Sequence, residues 1–132
     1  MSQFDRIILL LCFLLPLFYR AYSLETRVVI TNSLHGGLDL TMHCKFNDND
    51  LGTQVLHKNQ SGQWIQEGKF EASSQLYCSF QWQNVTKWFA IYKASRDAPR
   101  KVCFWSIKQE GPCMINNVYG DPLTCYGWNP SD

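Results

Sequence analysis

This sequence of 132 residues has few long apolar runs, almost no net charge and little helical periodicity. One apolar run stands out, at residues 7–18, and it is shorter than the ~20 residues that a membrane-spanning helix needs. Arg6 precedes the run and a small-residue exit, Ala21 to Ser23, follows it, as is typical of a secretory signal peptide. We therefore predict a signal peptide at 1–23, a mature domain at 24–132, a secreted, extracellular protein, and no membrane insertion.

The lack of net charge excludes one class of function. Without Arg6, Arg20 and Asp5, the mature chain carries ten basic and ten acidic residues. Proteins that bind nucleic acid in general have a basic excess, so no nucleic-acid partner is expected. The length of the mature chain is that of one small domain, in which disulfides would support a modest core.

The sequence also lacks the spacing of a familiar metal site. No two cysteines stand in the C-x2-C spacing of zinc sites, and the three histidines lack the i, i+4 spacing of a helical zinc motif. The acidic segment HCKFNDNDLG at 43–52 suggests a calcium loop, but its frames place Leu51 or Gly52 where an oxygen ligand should stand. Because Asn, Asp and Gly favour turns, we predict a polar turn there, with no metal or cofactor.

Catalytic motifs are missing as well. The sequence has no Gly-x-Ser-x-Gly turn and no phosphate-binding loop. His43 is predicted to point away from the apolar face of its strand, as a solvated histidine. Asp48 and Asp50 are the best pair of acids for a small secreted hydrolase. Since neighbouring carboxylates in a turn are usually solvated, we predict no catalytic residue and no enzyme.

What the sequence does contain is regular alternation of apolar and polar residues. In LDLTMHCKF (38–46) every second residue is apolar, and the same period recurs in LYCSFQW (76–82). In KVCFWSIK (101–108) this period places Cys103, Trp105 and Ile107 on one face. A period of two is typical of half-buried strands. Turn-rich segments separate the strands about every ten residues, so we predict an all-β fold, a small disulfide-bonded antiparallel β-sandwich of roughly seven to eight strands.

Five cysteines remain after removal of the signal peptide, and all are disulfide candidates in a secreted chain: Cys44, Cys78, Cys103, Cys113 and Cys125. Cys44, Cys78 and Cys103 fall on apolar faces of predicted strands, where cysteines of opposed sheets can bridge the core. Their odd number leaves one sulfur outside any bridge within the chain. The pairing does not follow from the sequence. We expect Cys125, near the chain end, to be the odd one, and a disulfide-linked dimer through the odd cysteine is one use for it.

Two sequons for N-glycosylation begin at Asn59 and Asn84. Each lies in a polar segment between two apolar runs. A third asparagine, at 129, is excluded by the proline that follows it. Because glycans need exposed loops, we predict that Asn59 and Asn84 are both glycosylated.

All five tryptophans belong to the mature chain and lie on or beside predicted strands. Such positions favour core packing, the ordinary role of tryptophan in a small domain. Trp88 and Trp128 are the two that we expect to depart from it. A platform of exposed, coplanar tryptophans would indicate a carbohydrate-binding protein.

The densest charge of the mature chain lies at 95–101, in Arg96, Asp97, Arg100 and Lys101. Loops tolerate sequence change and carry specificity, and charged rims steer association with a partner. We therefore predict that these four residues form a partner-binding loop.

Five segments resemble, in order, those of one family: VVITNSL (28–34), HCKFNDNDLG (43–52), YCSFQW (77–82), FAIYKASRD (89–97) and CFWSIKQEGPC (103–113). They are similar to the plant self-incompatibility S1 family, also called S-protein homologues, and CYGWNP (125–130) resembles the end of many members. The resemblance implies a small secreted β-sandwich with disulfides and no known enzymatic activity. It also implies that the acidic segment is a shared structural turn.

The chain departs from that family pattern in two places. Phe46 stands where members usually carry a small polar residue, so this strand is expected to bury one residue more. Many members carry another cysteine shortly before the position of Cys103, and its loss here explains the odd number of cysteines.

The founding members of the family are secreted by the stigma and recognised by pollen, so the resemblance implies a role in recognition. We expect a secreted plant protein that acts as a non-enzymatic ligand in cell–cell recognition or signalling, with an unidentified plant cell-surface receptor protein as its partner. Two alternatives stay open, a cell-wall carbohydrate-binding or defence protein and a small secreted hydrolase. Exposed coplanar tryptophans would favour the former, and acids or histidines that converge in a cleft would favour the latter.

Overall fold

The computed structural model describes residues 25–67, 73–97, 102–115 and 124–128. The predicted signal peptide at 1–23 lies outside these residues, and so do Arg100 and Lys101 of the predicted charged loop. None of the helices in the described part is long and apolar enough to cross a membrane.

Nine strands, one short helix and one 3-10 turn make up the described part of the chain. The strands are β1 (Glu25–Asn32), β2 (Leu40–Phe46), β3 (Asn49–Leu56), β4 (Ser61–Glu67), β5 (Gln75–Trp82), β6 (Val85–Lys93), β7 (Val102–Lys108), β8 (Gly111–Ile115) and β9 (Thr124–Cys125). The helix α1 is Ala94–Asp97, and the 3-10 turn is His35–Gly37. The predicted all-β fold is confirmed, with nine strands in the described part of the chain where roughly seven to eight were expected.

The strands form a five-stranded sheet, in the order β4-β1-β7-β8-β9, and a four-stranded sheet, in the order β3-β2-β5-β6. All described pairs are antiparallel except one, because β1 and β7 run parallel, with Val28 opposite Cys103. The predicted antiparallel sandwich is therefore confirmed, with this parallel pair as an exception that the sequence did not suggest. Alternation has the same period of two in parallel and antiparallel strands, so it does not report strand direction.

The apolar residues of the alternating segments face each other between the two sheets, as predicted. From β2, Leu40, Met42 and Cys44 are fully buried, and β7 contributes Trp105 in the same way. Phe46 also packs against this core. The strand β2 therefore partly buries the additional residue, Phe46, that its departure from the family pattern suggested.

Both disulfides join neighbouring strands within one sheet. Cys44 and Cys78 lie directly opposite each other on β2 and β5, and Cys113 and Cys125 do the same on β8 and β9. The expected bridge between opposed sheets is thus replaced by one within the four-stranded sheet. The reason is the register, since β2 and β5 turn out to be hydrogen-bonded neighbours.

The cysteine outside the two disulfides is Cys103, so the expectation that Cys125 would be the odd one is wrong. Cys103 lies on the inner face of β7 opposite Val28, and it is only 1% exposed. A sulfur at this depth cannot reach a second chain while the protein stays folded. Its position argues against the disulfide-linked dimer that an odd cysteine suggested.

Removal of either disulfide should destabilise the protein according to the loop that it closes. The two bridges span sequence separations of 34 residues (Cys44–Cys78) and 12 residues (Cys113–Cys125). Because a longer closed loop restricts the unfolded chain more, we expect each loss to cost about 2–4 kcal/mol, with the larger loss for the first bridge. Urea unfolding of the Cys44→Ala/Cys78→Ala and Cys113→Ala/Cys125→Ala double variants measures both.

A thiol label checks the pairing on which that prediction depends. Wild-type protein unfolded without a reductant should be labelled at Cys103, and not while it is folded. A label on Cys125 in the peptide map would contradict the pairing.

Candidate functional site

The acidic segment at 43–52 contains the hairpin turn between β2 and β3. Asn47 and Asp48 are the two turn residues, and Phe46 pairs with Asn49 on either side of them. Asn47 has a φ of 52°, a left-handed conformation that asparagine tolerates better than most residues. Its Oδ1 accepts a hydrogen bond from the backbone N–H of Gln75 at 3.2 Å. The predicted polar turn is confirmed, and it is tied to β5.

His43 and Asp50, from the same segment, form a hydrogen-bonded pair on the outer face of the four-stranded sheet. The Nε2 of His43 lies 2.7 Å from Oδ1 of Asp50. The backbone N–H of Gly52 donates to the same oxygen at 2.8 Å, and this bond together with the one from His43 lowers the pKa of Asp50. His43 faces outwards as predicted, but it is paired rather than simply solvated.

The two acids considered for a hydrolase do not converge in a cleft. Asp48 stands exposed at the hairpin tip, whereas Asp50 is engaged with His43 on an open surface. Ser79 lies opposite His43 on β5, but no hydrogen bond joins these two side chains in the described part of the chain. Among the described residues, no group of three His, Cys, Asp or Glu side chains could hold a metal ion. This geometry supports no particular reaction.

The charged segment differs most from its prediction. Asp97 is 1% exposed, and the side chain of Arg96 keeps only 21% of its surface exposed. The guanidinium of Arg96 donates two hydrogen bonds to the carboxylate of Asp97, from Nε to Oδ1 at 2.8 Å and from Nη2 to Oδ2 at 2.7 Å. The expected exposed charged loop is therefore wrong for Arg96 and Asp97. Each charge can be buried because the other supplies its counter-ion and its hydrogen bonds.

Three aromatic rings surround the same guanidinium. Its central carbon lies 5.2 Å from the ring centre of Phe89, 5.1 Å from Trp105 and 5.5 Å from Tyr126, all within cation–π range. Phe89 belongs to β6, Trp105 to β7, and Tyr126 follows β9. Arg96 thus contacts both sheets and the C-terminal segment. We call Arg96, Asp97 and these three rings the Arg96 cluster.

The C-terminal segment 124–128 packs against the Arg96 cluster and is held there by close backbone contacts and a hydrogen bond. A Cβ on Gly111 would collide with the carbonyl oxygen of Tyr126, so only glycine allows the segment to pass this closely. The indole N–H of Trp128 donates to the carbonyl of Gln109 at 2.8 Å, and its ring lies 5.7 Å from that of Phe80. Trp128, expected to depart from core packing, instead packs against the core.

The outer face of the five-stranded sheet carries exposed apolar side chains in adjacent rows. Ile65, Val102 and Phe104 are 47%, 45% and 40% exposed. Ile65 and Val102 flank Arg27 on either side, and Phe104 lies opposite Val29 in the next row. Residues opposed in register share a face of the sheet, so these side chains are contiguous. We call these five residues the apolar patch.

The outer face of the four-stranded sheet has a different chemistry. Trp88 is 37% exposed, as its predicted departure from the core requires, and its ring lies 5.7 Å from that of Tyr77 at an angle of 14°. Most of the surrounding outward positions on β2, β3, β5 and β6 hold polar side chains: Thr41, His43, Thr53, Ser79, Gln81 and Thr86.

Tyr77 also forms one wall of an open hollow of about 470 Å³. The other residues that line it are Asn47, Asp48, Ser73 and Gln75. We call Trp88, Tyr77 and this hollow the Tyr77–Trp88 surface. A second, apolar cavity lies between the sheets beside Trp64, but its 60 Å³ is far below the ~300–1,000 Å³ of pockets that hold small molecules.

Comparison with known proteins decides the family. The model of the plant self-incompatibility protein S1 family matches residues 27–128. The chain belongs to the self-incompatibility S1 family. Among curated relatives from Arabidopsis thaliana, S-protein homolog 3 is 36% identical over 113 residues (82% of this chain and 75% of that protein). S-protein homolog 5 is 39% identical over 115 residues (86% and 83%).

A solved structure supports the fold of this S1-family chain. It belongs to self-incompatibility protein homologues, described as a widespread family of small, highly stable, secreted proteins from plants. It matches with a TM-score of 0.56 at 18% identity, and the match covers 83% of this chain and 98% of that one. At this identity the likeness establishes the sandwich fold alone.

Both sequon asparagines of this S1-family protein lie in exposed turns. Asn59 stands between β3 and β4 with a φ of 64°, and Asn84 occupies the two-residue turn between β5 and β6. These positions are open to solvent, as glycan attachment requires.

The apolar patch is the feature of this S1-family chain that sequence reasoning missed. A signal for it was present in β7, where Val102 and Phe104 alternate with the buried Cys103 and Trp105. A strand with one face in solvent usually carries polar residues at the outward positions. Four consecutive apolar residues therefore indicate a strand whose two faces are both apolar.

Loss of the Asp97 carboxylate should be strongly destabilising in this S1-family fold. Asp97→Asn removes the counter-ion of a largely buried guanidinium, and breaking such a pair costs roughly 3–5 kcal/mol. The matched control is Arg27→Gln, since Arg27 and Glu25 form a surface pair at 3.4 Å with side chains 46% and 40% exposed. A pair of this kind contributes under about 1 kcal/mol.

Urea unfolding of both variants measures the free energies of unfolding. If Asp97→Asn costs no more than Arg27→Gln, the Arg96 cluster is not a determinant of stability.

Proposed function

We propose that this protein is a secreted, non-enzymatic ligand that is read by a receptor protein on plant cells, in recognition or signalling of the self-incompatibility S1 type. Membership of the S1 family supports this proposal, as does the secretion of the homologues to which the solved structure belongs. The signal-peptide pattern at 1–23 supplies a route to the cell exterior.

The observation that carries the proposal is the apolar patch. Three large apolar side chains, Ile65, Val102 and Phe104, stay exposed side by side on one face of a small domain. Contiguous exposed apolar surface is typical of protein–protein contact sites. Arg27 lies between Ile65 and Val102, and arginine is enriched among apolar residues at the centres of such interfaces.

Charge that directly precedes the patch in the sequence would steer the receptor onto it. Arg100 and Lys101 directly precede Val102, the first residue of β7, so the basic pair leads into the patch along the chain. Charged residues at the rim of an interface raise the rate of association and discriminate between partners. The partner-binding role predicted for the charged segment is thus kept for Arg100 and Lys101, while Arg96 and Asp97 support the fold.

A charge placed in the patch should abolish most receptor binding. Phe104→Asp introduces a carboxylate where an apolar contact is expected, and loss of a central contact of this kind weakens binding roughly thirtyfold or more. The assay is saturable binding of labelled, secreted protein to plant plasma-membrane vesicles, with protease-treated vesicles as the background. Arg100→Glu/Lys101→Glu should weaken binding less, and mainly by slowing association.

The matched control is Val55→Asp, because Val55 is 53% exposed on the outer face of the other sheet. This variant should bind like the wild type, and all three variants should keep the wild-type melting temperature. Equal binding by Phe104→Asp and Val55→Asp would remove the patch from the interface.

Processing and glycosylation form a separate prediction. The secreted protein should begin at Leu24 and carry glycans on Asn59 and Asn84, which both stand in exposed turns. Intact mass before and after enzymatic deglycosylation tests this, and Asn59→Gln and Asn84→Gln should each lose the mass of one glycan. A secreted product without glycans, or with residues 1–23 intact, would contradict the prediction.

A further inference from the structure

The Tyr77–Trp88 surface lies on the opposite face of the sandwich from the apolar patch, so it takes no part in the receptor contact proposed above. Its two aromatic rings are nearly parallel, and Trp88 stays exposed among polar side chains. The hollow beside Tyr77 extends this surface past the N-terminal end of β5. Aromatic rings next to an open polar hollow form a surface with both stacking and hydrogen-bonding capacity.

We propose that the Tyr77–Trp88 surface binds a neutral polysaccharide whose pyranose units are linked through equatorial positions. Such a sugar unit has C–H groups on its flat faces and hydroxyl groups around its rim. The C–H groups carry partial positive charge, and the face of an aromatic ring is electron-rich, so the two pack favourably. Trp88 supplies this contact, and Tyr77 holds its ring by stacking.

The hollow supplies the hydrogen bonds that the rim of the sugar needs. Its walls hold amide, carboxylate and hydroxyl groups, from Asn47, Asp48, Ser73, Gln75 and Tyr77. This set both donates and accepts hydrogen bonds, as sugar hydroxyl groups do. The hollow is open to solvent, and its volume of about 470 Å³ leaves room for a sugar unit against these groups. A sugar unit next to the one on Trp88 is therefore placed in the hollow.

The charges of this face favour a neutral chain over an acidic one. Lys45 and Lys93 point outwards beside Tyr77 and Gln75, but Asp48 lies in the hollow itself and Asp50 is paired with His43, so this face holds charges of both signs. A polymer of uronic acids or a nucleic acid would bring its negative charges against the carboxylate of Asp48, without the basic excess that such partners need.

A protein partner fits this face less well than it fits the apolar patch. Among the described residues, the large apolar side chains exposed on the four-stranded sheet are Val55 and Trp88. They lie on β3 and β6, at opposite edges of the sheet, and polar side chains separate them. An isolated tryptophan in a polar surface suits a sugar ring better than an apolar protein surface.

Binding of defined oligosaccharides tests the proposal. Isothermal titration calorimetry of the full secreted protein should give saturable binding of cellohexaose or xylohexaose, and weaker or no binding of hexagalacturonate. Trp88→Ala should weaken binding of the neutral oligomer roughly tenfold or more, since it removes the stacking surface, and Trp88→Phe should retain most of it. The Asp48→Asn variant should bind hexagalacturonate more tightly than the wild type does.

Phe104→Ala, in the apolar patch, is the matched control and should bind the oligomers like the wild type. Melting temperatures identify any variant that fails to fold. If Trp88→Ala is one, Trp88→Leu, which also lacks an aromatic ring, takes its place and should weaken binding in the same way. Absence of saturable binding to both neutral oligomers would overturn the proposal, and so would equal binding by Trp88→Ala. If the wild type binds hexagalacturonate more tightly than the neutral oligomers, the proposal that the ligand is a neutral polysaccharide is wrong. None of these outcomes depends on the receptor assay, which uses membrane protein and a different face of the sandwich.

Discussion

The ion pair between Arg96 and Asp97 is the interaction on which the rest of this sandwich depends. Both disulfides lie within single sheets, so they do not hold the two sheets together. Arg96 does contact both, through Phe89 on β6 and Trp105 on β7. An arginine can occupy this position only with a buried counter-ion, because an unpaired charge at this depth would be very costly.

The same arginine also provides hydrogen bonds to backbone carbonyls at an irregularity in the four-stranded sheet. The register between β5 and β6 shifts after Leu76, and an extra residue in β6 disturbs the regular ladder near Ala90 and Ile91. Arg96 donates to the carbonyl oxygens of Ala90 and Ile91 at 2.8 and 3.1 Å, and the backbone N–H of Lys93 donates to Asp97 at 2.9 Å. The bulge, the short helix and the aromatic cluster therefore form one unit, and none of its parts is satisfied without the others.

The strands and the core follow from the sequence, because alternation reports which residues face inwards wherever one face of a strand is buried. Alternation could not reveal that β1 and β7 are parallel, nor that Cys44 faces Cys78 within one sheet, since both depend on which strands become neighbours. Arg96 and Asp97 were misread for a related reason. Charge density in a sequence favours solvent, and only the fold shows that the two charges satisfy each other beneath three rings.

The candidate surfaces were harder to predict, because they consist of outward residues whose neighbours lie on other strands. Trp88 could be singled out from the sequence, but its contact with Tyr77 joins β5 and β6 and needs the register. The apolar patch likewise joins β4, β1 and β7, which are far apart in the chain. Such surfaces are encoded in the pairing of strands rather than in any one segment.

Strand direction also places the turns that carry the glycosylation sequons away from the turn that lines the proposed sugar-binding hollow. Since β3 and β5 both run antiparallel to β2, their C-terminal ends lie at the same end of the four-stranded sheet. The turns that follow them carry Asn59 and Asn84, so both sequons stand at that end. The turn with Asn47 and Asp48 follows β2 and lies at the opposite end, beside the start of β5. Glycans on the sequon turns would therefore leave the hollow open, and the acidic turn is free to serve as a wall of a binding site.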